Sequence, residues 1–304
     1  MQVWRKWKLK HWMWWLPIGV WLAYFYGPVA IYTLLQHQLS PAHHAQAMHL
    51  GDYRVTVEAR PLAGINENLS GLTFRADTGT LWGIANGPSR VVEFTTEGQV
   101  LRTIAVRGGK DTEGITHLQG DDFMIVDEKT NTLWKVKIGA DTAEIRLDHA
   151  PHMQLDLDPV HANLGIEAMS WSERDHHLWV GQEKWPMRVL ELAGAEAAEG
   201  LSLPLHPLRE WKAKGLFQWL LRDLASLTHL RQSGHLLLLS QESRVVVEFT
   251  PEGHAVGILP LWQRMHGLQS PVPQAEGLTV DEHGHLYIVA EPNLFYRFEK
   301  QSPR

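Results

Sequence analysis

QAEGLTVDEHGHLYIVAEPNLFYRF, residues 274–298, decides the fold. A Glu-Gly pair (Glu276, Gly277) opens a short apolar strand. A His-Gly turn (His283, Gly284) follows, and a second strand runs to Glu291. The unit opens again at Ser70 (SGLTF), Glu113 (EGITH), Glu167 (EAMSW) and Ala225 (ASLTH). Its second strand then ends at Asn86 (GIAN), Glu128 (IVDE), Glu183 (VGQE) and Glu242 (LSQE). Four strands with their loops take about 40–50 residues in a propeller blade, close to the spacing of these openings. In the first copy the four are GLTF, LWGIA, RVVEF and VLRTIAV; the hairpin opening VVEFTTEG (91–98) returns as VVEFTPEG (246–253).

The fifth copy runs out after its third strand, LFYRF. YRVTVEA at 53–59 is the spare strand that would complete it and close a ring. The expectation is an all-β, five-bladed β-propeller over residues 52–300, with six blades as the fallback. A β-sandwich does not explain five copies, and a β-helix has far shorter repeats. One segment breaks the pattern. Leu208, Trp211, Leu220 and Leu224 sit near helical spacing, so 205–224 is expected to be a helical insertion.

Ahead of the repeats, residues 1–11 are basic and aromatic, with Arg5, Lys6, Lys8 and Lys10 and no acid. Residues 12–35 carry no formal charge. At about 1.5 Å per residue they reach roughly 36 Å, enough to cross a bilayer core of about 30 Å. Trp12, Trp14, Trp15 and Tyr32 lie where an interfacial belt would be. The expected topology is a single transmembrane helix in the bacterial inner membrane. Its basic tail lies in the cytoplasm, residues 36–51 form a linker, and the body lies in the periplasm. A cleaved signal peptide ending near Ala45-Gln46-Ala47 is the rival, but the apolar run exceeds the 7–15 residues of such signals.

The whole chain carries a net charge of −6 despite its basic start, so the body is acidic. That excludes nucleic acid as a partner, because phosphate backbones need a basic face. With no cysteine there is no disulfide, thiolate metal site or cysteine nucleophile.

Residues facing each other across a hairpin have a constant position sum. Glu113/Glu128 centre on Gly120-Asp121, Glu167/Glu183 on Asp175, Glu276/Glu291 on His283-Gly284, Ser70/Asn86 on Thr78, and Ala225/Glu242 on Ser233-Gly234. Each midpoint is a turn signal. In a propeller the first strand lines the central channel, so Glu113, Glu167 and Glu276 are expected at one mouth. Glu128, Glu183, Glu242 and Glu291 would stand one strand out, with Ser70 and Asn86 supplying neutral oxygens; Asp111 and Asp127 are near in sequence. Seven ionised, dry carboxylates repel. Raised pKa values, pairing with basic residues or a bound cation relieve this, and many hard oxygens suit Ca2+. The competing assignment makes these acids blade-to-blade struts without metal.

LSGLTF (69–74), DTEGI (111–115), GIEAMSW (165–171) and, above all, QAEGLTVDEHGHLYIVAEPNLFYRFE (274–299) resemble the SdiA-regulated (YjiK-like) family of bacterial envelope proteins. The resemblance covers roughly residues 52–299. It implies a five-bladed, NHL-like propeller with a calcium site, held outside the inner membrane, and it carries Glu113, Glu167 and Glu276 over as acidic site residues. Ala225-Ser226 departs from Glu-Gly, which places the site off the ring axis.

The expected function is a membrane-anchored, calcium-binding module for a small ligand or an envelope protein, not an enzyme. The alternatives are a phytase-like, calcium-dependent phosphoester hydrolase and a metal-free interaction scaffold. For the hydrolase, Lys129, Lys184, Arg188 and Arg244 would meet phosphate, or would simply pair with the neighbouring acids. No nucleophile triad, phosphate loop or zinc helix stands out.

Overall fold

Runs of Val, Ile, Leu and aromatic residues bounded by Gly, Asn, Asp or His become strands and turns throughout the body. The structure, a computed structural model, describes residues 20, 27–40, 45–66, 68–155, 165–184, 187–198 and 200–301. The chain divides into two units, Met1–Leu39 and Ser40–Arg304, and the second holds five sheets.

Counting outward, the first blade is Leu69–Arg75, Thr80–Ala85, Arg90–Phe94 and Val100–Arg107. The second is Thr112–Gln119, Asp122–Asp127, Thr132–Lys137 and His152–Gln154. The third is Ile166–Ser172, His177–Gln182, Arg188–Ala193 and His206–Trp211. The fourth is Ser226–His229, Leu236–Ser240, Val245–Phe249 and Ala255–Pro260. The fifth is Ala275–Val280, Leu286–Ala290 and Leu294–Lys300, and its outer strand is Tyr53–Pro61 from the other end of the chain. Each inner strand touches the next and the fifth touches the first, so the ring closes as expected. A short extra strand, Glu144–Arg146, runs parallel to Val100–Arg107 on the first blade.

Hydrophobic packing lies between blades. Trp82, Ile84 and Val91 of the first meet Ile115, Phe123 and Ile125 of the second, with the Trp82 and Phe123 rings 4.9 Å apart. Leu69, Leu72 and Phe94 meet Tyr287, Val289 and Phe295 across the closing seam. Each such side chain, fully buried, contributes about 1.5–3 kcal/mol. Closure therefore depends on both chain ends.

Two expectations need correction. Residues 205–224 are not a helical insertion: His206–Trp211 is the third blade's outer strand, and only Phe217–Leu220 is helical, for one turn. The linker also ends early, since Leu50 is fully buried in the fourth and fifth blades' core. The Tyr53 hydroxyl donates to Gly284 O at 2.7 Å.

The expected membrane anchor is not found among the described residues. Residues 1–11 and most of 12–35 lie outside the described residues, but 27–36 are helical. At about 1.5 Å per residue that piece reaches roughly half of a 30 Å hydrocarbon core. Among the described residues no helix is long and apolar enough to cross a membrane. The single-pass helix, the inner membrane as partner and the cytoplasm-to-periplasm topology rested on that span and are not carried further.

Candidate metal centre

The acids reach the channel through β-bulges. Pairing steps from Thr112↔Asp127 to Gly114↔Val126, leaving Glu113 as the extra residue. Glu167 is extra between Ile166↔Gln182 and Ala168↔Gly181, and Glu276 between Ala275↔Ala290 and Gly277↔Val289. A bulge leaves one residue unpaired and re-aims its side chain. In the first blade the extra residue is Gly71, and the fourth blade pairs without a shift. The glycine after the acid answers to the next blade. A Cβ on Gly114 would lie 2.6 Å from Glu167 O, and one on Gly71 would lie 2.5 Å from Glu113 O.

The bulge also corrects the expected register. Glu128 N–H donates to Asp111 O, Glu183 N–H to Gly165 O and Glu291 N–H to Gln274 O. Each second-strand acid therefore faces the position two residues before the first-strand acid. Asp111, which constant-sum reasoning leaves aside, comes opposite Glu128.

One oxygen each from Asp111, Glu113 and Glu128 lie within 4.8 Å of one another, as do oxygens from Glu128, Glu167 and Glu183. Glu128 belongs to both groups. Four of the seven expected acids are thus brought together, joined by Asp111, on the side of the second and third blades. Glu242, Glu276 and Glu291 belong to neither group among the described residues. Glu276 still shares the mouth, where it feels the charges of Glu291, Glu113, Asp223 and Glu183.

Burial dominates the electrostatics. It pushes Glu167 up to about 10, with Glu183 and Glu128 adding repulsion. Glu276 rises to about 8 through burial and then Glu291. Glu113 rises to about 7, held down in part by hydrogen bonds from Ser70 and Asn86. Glu128, Glu183 and Glu291 are also raised, by burial first. Asn86 presents its amide nitrogen rather than an oxygen, donating to Asp111 and, at 3.3 Å, to Glu113. Asp127 is no candidate ligand: its carboxylate accepts the N–H groups of Lys110, Asp111 and Thr130.

Among the basic residues, Lys184 pairs with Glu183 at 3.2 Å and Arg222 with Glu242 at 3.5 Å, while Arg188 turns to Glu210. Lys129 and Arg244 form no ion pair among the described residues. The fourth blade replaces its missing acid with Asp223, which accepts the Ser240 hydroxyl and, at 3.1 Å, Glu242 N–H. The sequence carried that signal, because Asp223 precedes Ala225 as Asp111 precedes Glu113. Oxygen-only donors, crowded and repelling, with few cations to answer them, fit calcium, which takes six to eight oxygens in adaptable geometry.

The description of the SdiA-regulated family matches residues 45–299. The chain belongs to the SdiA-regulated family. Solved structures similar to this family member include a luciferin-regenerating enzyme (12% identity, 80% of this chain and 95% of that one, TM-score 0.49). A gluconolactonase from Xanthomonas campestris matches at 14% identity over 87% and 94% of the two chains, TM-score 0.48. Regucalcin, a calcium-binding protein from Agrobacterium tumefaciens, matches at 10% identity over 79% and 92%, TM-score 0.48. These likenesses concern the fold. The chain's own site speaks to chemistry: burial lifts Glu113 to about 7 and Glu276 to about 8, and carboxyls near neutrality are what acid–base catalysis uses. The preference for a non-enzymatic binding module is therefore dropped.

Proposed function

We propose that this protein is a calcium-dependent phosphoester hydrolase acting at the carboxylate mouth. The observation that supports it is Glu128, shared between Asp111/Glu113 on one side and Glu167/Glu183 on the other. These five residues would hold the ion. Calcium held there supplies positive charge and Lewis acidity toward an anionic ester oxygen.

The chain's own groups do the rest. Glu276 lies outside both oxygen groups, and its pKa of about 8 lets it hold or release a proton near neutral pH. It takes the proton of the attacking water as the new P–O bond forms, and returns it to the departing ester oxygen. Lys184, half exposed beside Glu183, and exposed Lys129 draw an anionic ester to an acidic surface.

A panel of phosphomonoesters and phosphodiesters, assayed in millimolar calcium or in EDTA, tests this. Turnover in calcium, its loss in EDTA, and a kcat fall of about 10²–10⁴ in Glu276→Gln are expected. Equal turnover in EDTA, or none across the panel, refutes it.

A further inference from the structure

At the opposite mouth, where the turns between first and second strands gather, lies a cavity of about 650 Å³. That is within the range of small-molecule sites, about 300–1,000 Å³. Every blade sends a hydroxyl from its inner strand to the wall: Thr73, Thr116, Ser170, Thr228 and Thr279. Each stands three residues after a blade opening, yet none was singled out by the sequence, where Thr and Ser read as ordinary strand residues.

These hydroxyls first stitch the ring. Thr73 accepts His117 N–H at 3.1 Å, Thr116 accepts Trp171 N–H at 3.0 Å, and Ser170 accepts His229 N–H at 3.0 Å. Thr228 donates to Leu278 O at 2.8 Å. A hydroxyl has one proton and two lone pairs. After accepting, Thr73, Thr116 and Ser170 each keep an O–H to give. Thr279 forms no side-chain hydrogen bond among the described residues.

A buried histidine stands behind the same wall. His229 lines the cavity with its side chain 2% exposed, and its Nδ1 has no hydrogen-bond partner among the described residues. Burial holds this ring neutral, its pKa lowered to about 4. The formal charges at the rim are matched or spent. Arg231 pairs with Glu173 at 2.8 Å, and Asp281 accepts from His283 N, His285 and the Tyr287 hydroxyl. Lys300 and Glu282 oppose each other in sign. Trp171 and Phe74 add apolar faces.

We propose that this second mouth binds a neutral polyhydroxylated ligand, a sugar or polyol, through the hydroxyl ring. The wall offers both O–H donors and oxygen lone pairs without an unmatched charge, as a ring of hydroxyl groups requires and as a carboxylate or ammonium does not. The apolar faces suit its C–H surface. The site is independent of the metal centre, being built from the other end of the same strands.

Saturation-transfer NMR on the full chain tests it, with glucose, galactose, maltose and myo-inositol against glucuronate and glucosamine. At least one neutral probe is expected to bind, more tightly than the charged probes, and equally in calcium and in EDTA. Thr279→Val, which breaks no hydrogen bond of the described fold, should leave the melting temperature unchanged and weaken binding about threefold to tenfold. Thr73→Val serves as a second variant. Silence from every neutral probe, preference for a charged probe, or loss of binding in EDTA overturns the proposal.

Discussion

Replacing Glu276 by Gln should stabilise the calcium-free protein, and by an amount that grows with pH. Burial raises this carboxyl from 4.5 to about 8. A carboxyl whose folded pKa is raised contributes stability below the unfolded value and loses it as pH rises through the folded one. Each pH unit travelled above the ordinary value costs about 1.4 kcal/mol. At pH 7, about two and a half units above it, wild type has given up about 3 kcal/mol that the amide keeps. For a body of this size 1 kcal/mol moves the melting temperature by about 2–4 °C, so the gap should be about 6–12 °C.

The assay is thermal melting of both proteins in EDTA at a series of pH values from 4.5 to 8. The curves should meet near pH 4.5 and part steadily above it. Other titrating groups are common to both proteins and drop out of the difference. Calcium should narrow the gap, because a nearby cation favours the ionised carboxylate. A Gln variant that melts at or below wild type at pH 7, or a gap that does not close in acid, would refute the buried, unanswered carboxyl on which the site depends.

Calcium at a hundredfold excess over its Kd should stabilise wild type by about 2.7 kcal/mol, and Glu128→Gln should abolish both that shift and the calorimetric binding signal. Gly114→Ala, whose Cβ would meet Glu167 O at 2.6 Å, should cost about 1–3 kcal/mol in urea unfolding, as overpacking does. His229 and His266 are held neutral by burial, both lowered to about 4. Folded values below the unfolded 6.5 mean stability lost as pH falls from about 6.5 to 4, up to about 3 kcal/mol for each ring. A chemical-denaturation series should show that acid limb, and His229→Gln should flatten it.

The blades were legible because a repeat prints its fold several times over, and YRVTVEA was legible as the closing strand because the last copy lacked one. Where the sequence misled, backbone geometry was at work. The side chains of His206–Leu208 are exposed and say nothing of the pairing with Arg188–Ala193 that makes 206–211 an outer strand. Asp111 was left without a partner because the constant-sum rule assumes a ladder without bulges, and one extra residue moves every partner beyond it. Asp223 was missed because the fourth blade was centred on Ala225 and Glu242, whereas Ser226 pairs with Leu239 and brings position 223 opposite Glu242. The convergence of acids survived that error, because both members of each pair still lie at the same end of the hairpin.

That extra residue also reconciles the two mouths. In a strict strand, residues three apart face opposite sides, so an acid and a hydroxyl three positions later could not both look into the channel. A bulge sets two successive residues against one partner and resets the alternation. Glu113 therefore shares a side with Gly114, and Gly114 with Thr116, which lines the far cavity. Glu167 with Ser170 and Glu276 with Thr279 repeat the arrangement. The fourth blade keeps Thr228 in the ring but has no bulge. Position 225 then falls on the wrong side for the mouth, so an acid there would have no channel to face. Its carboxylate stands instead at Asp223, before the strand begins, where alternation does not apply.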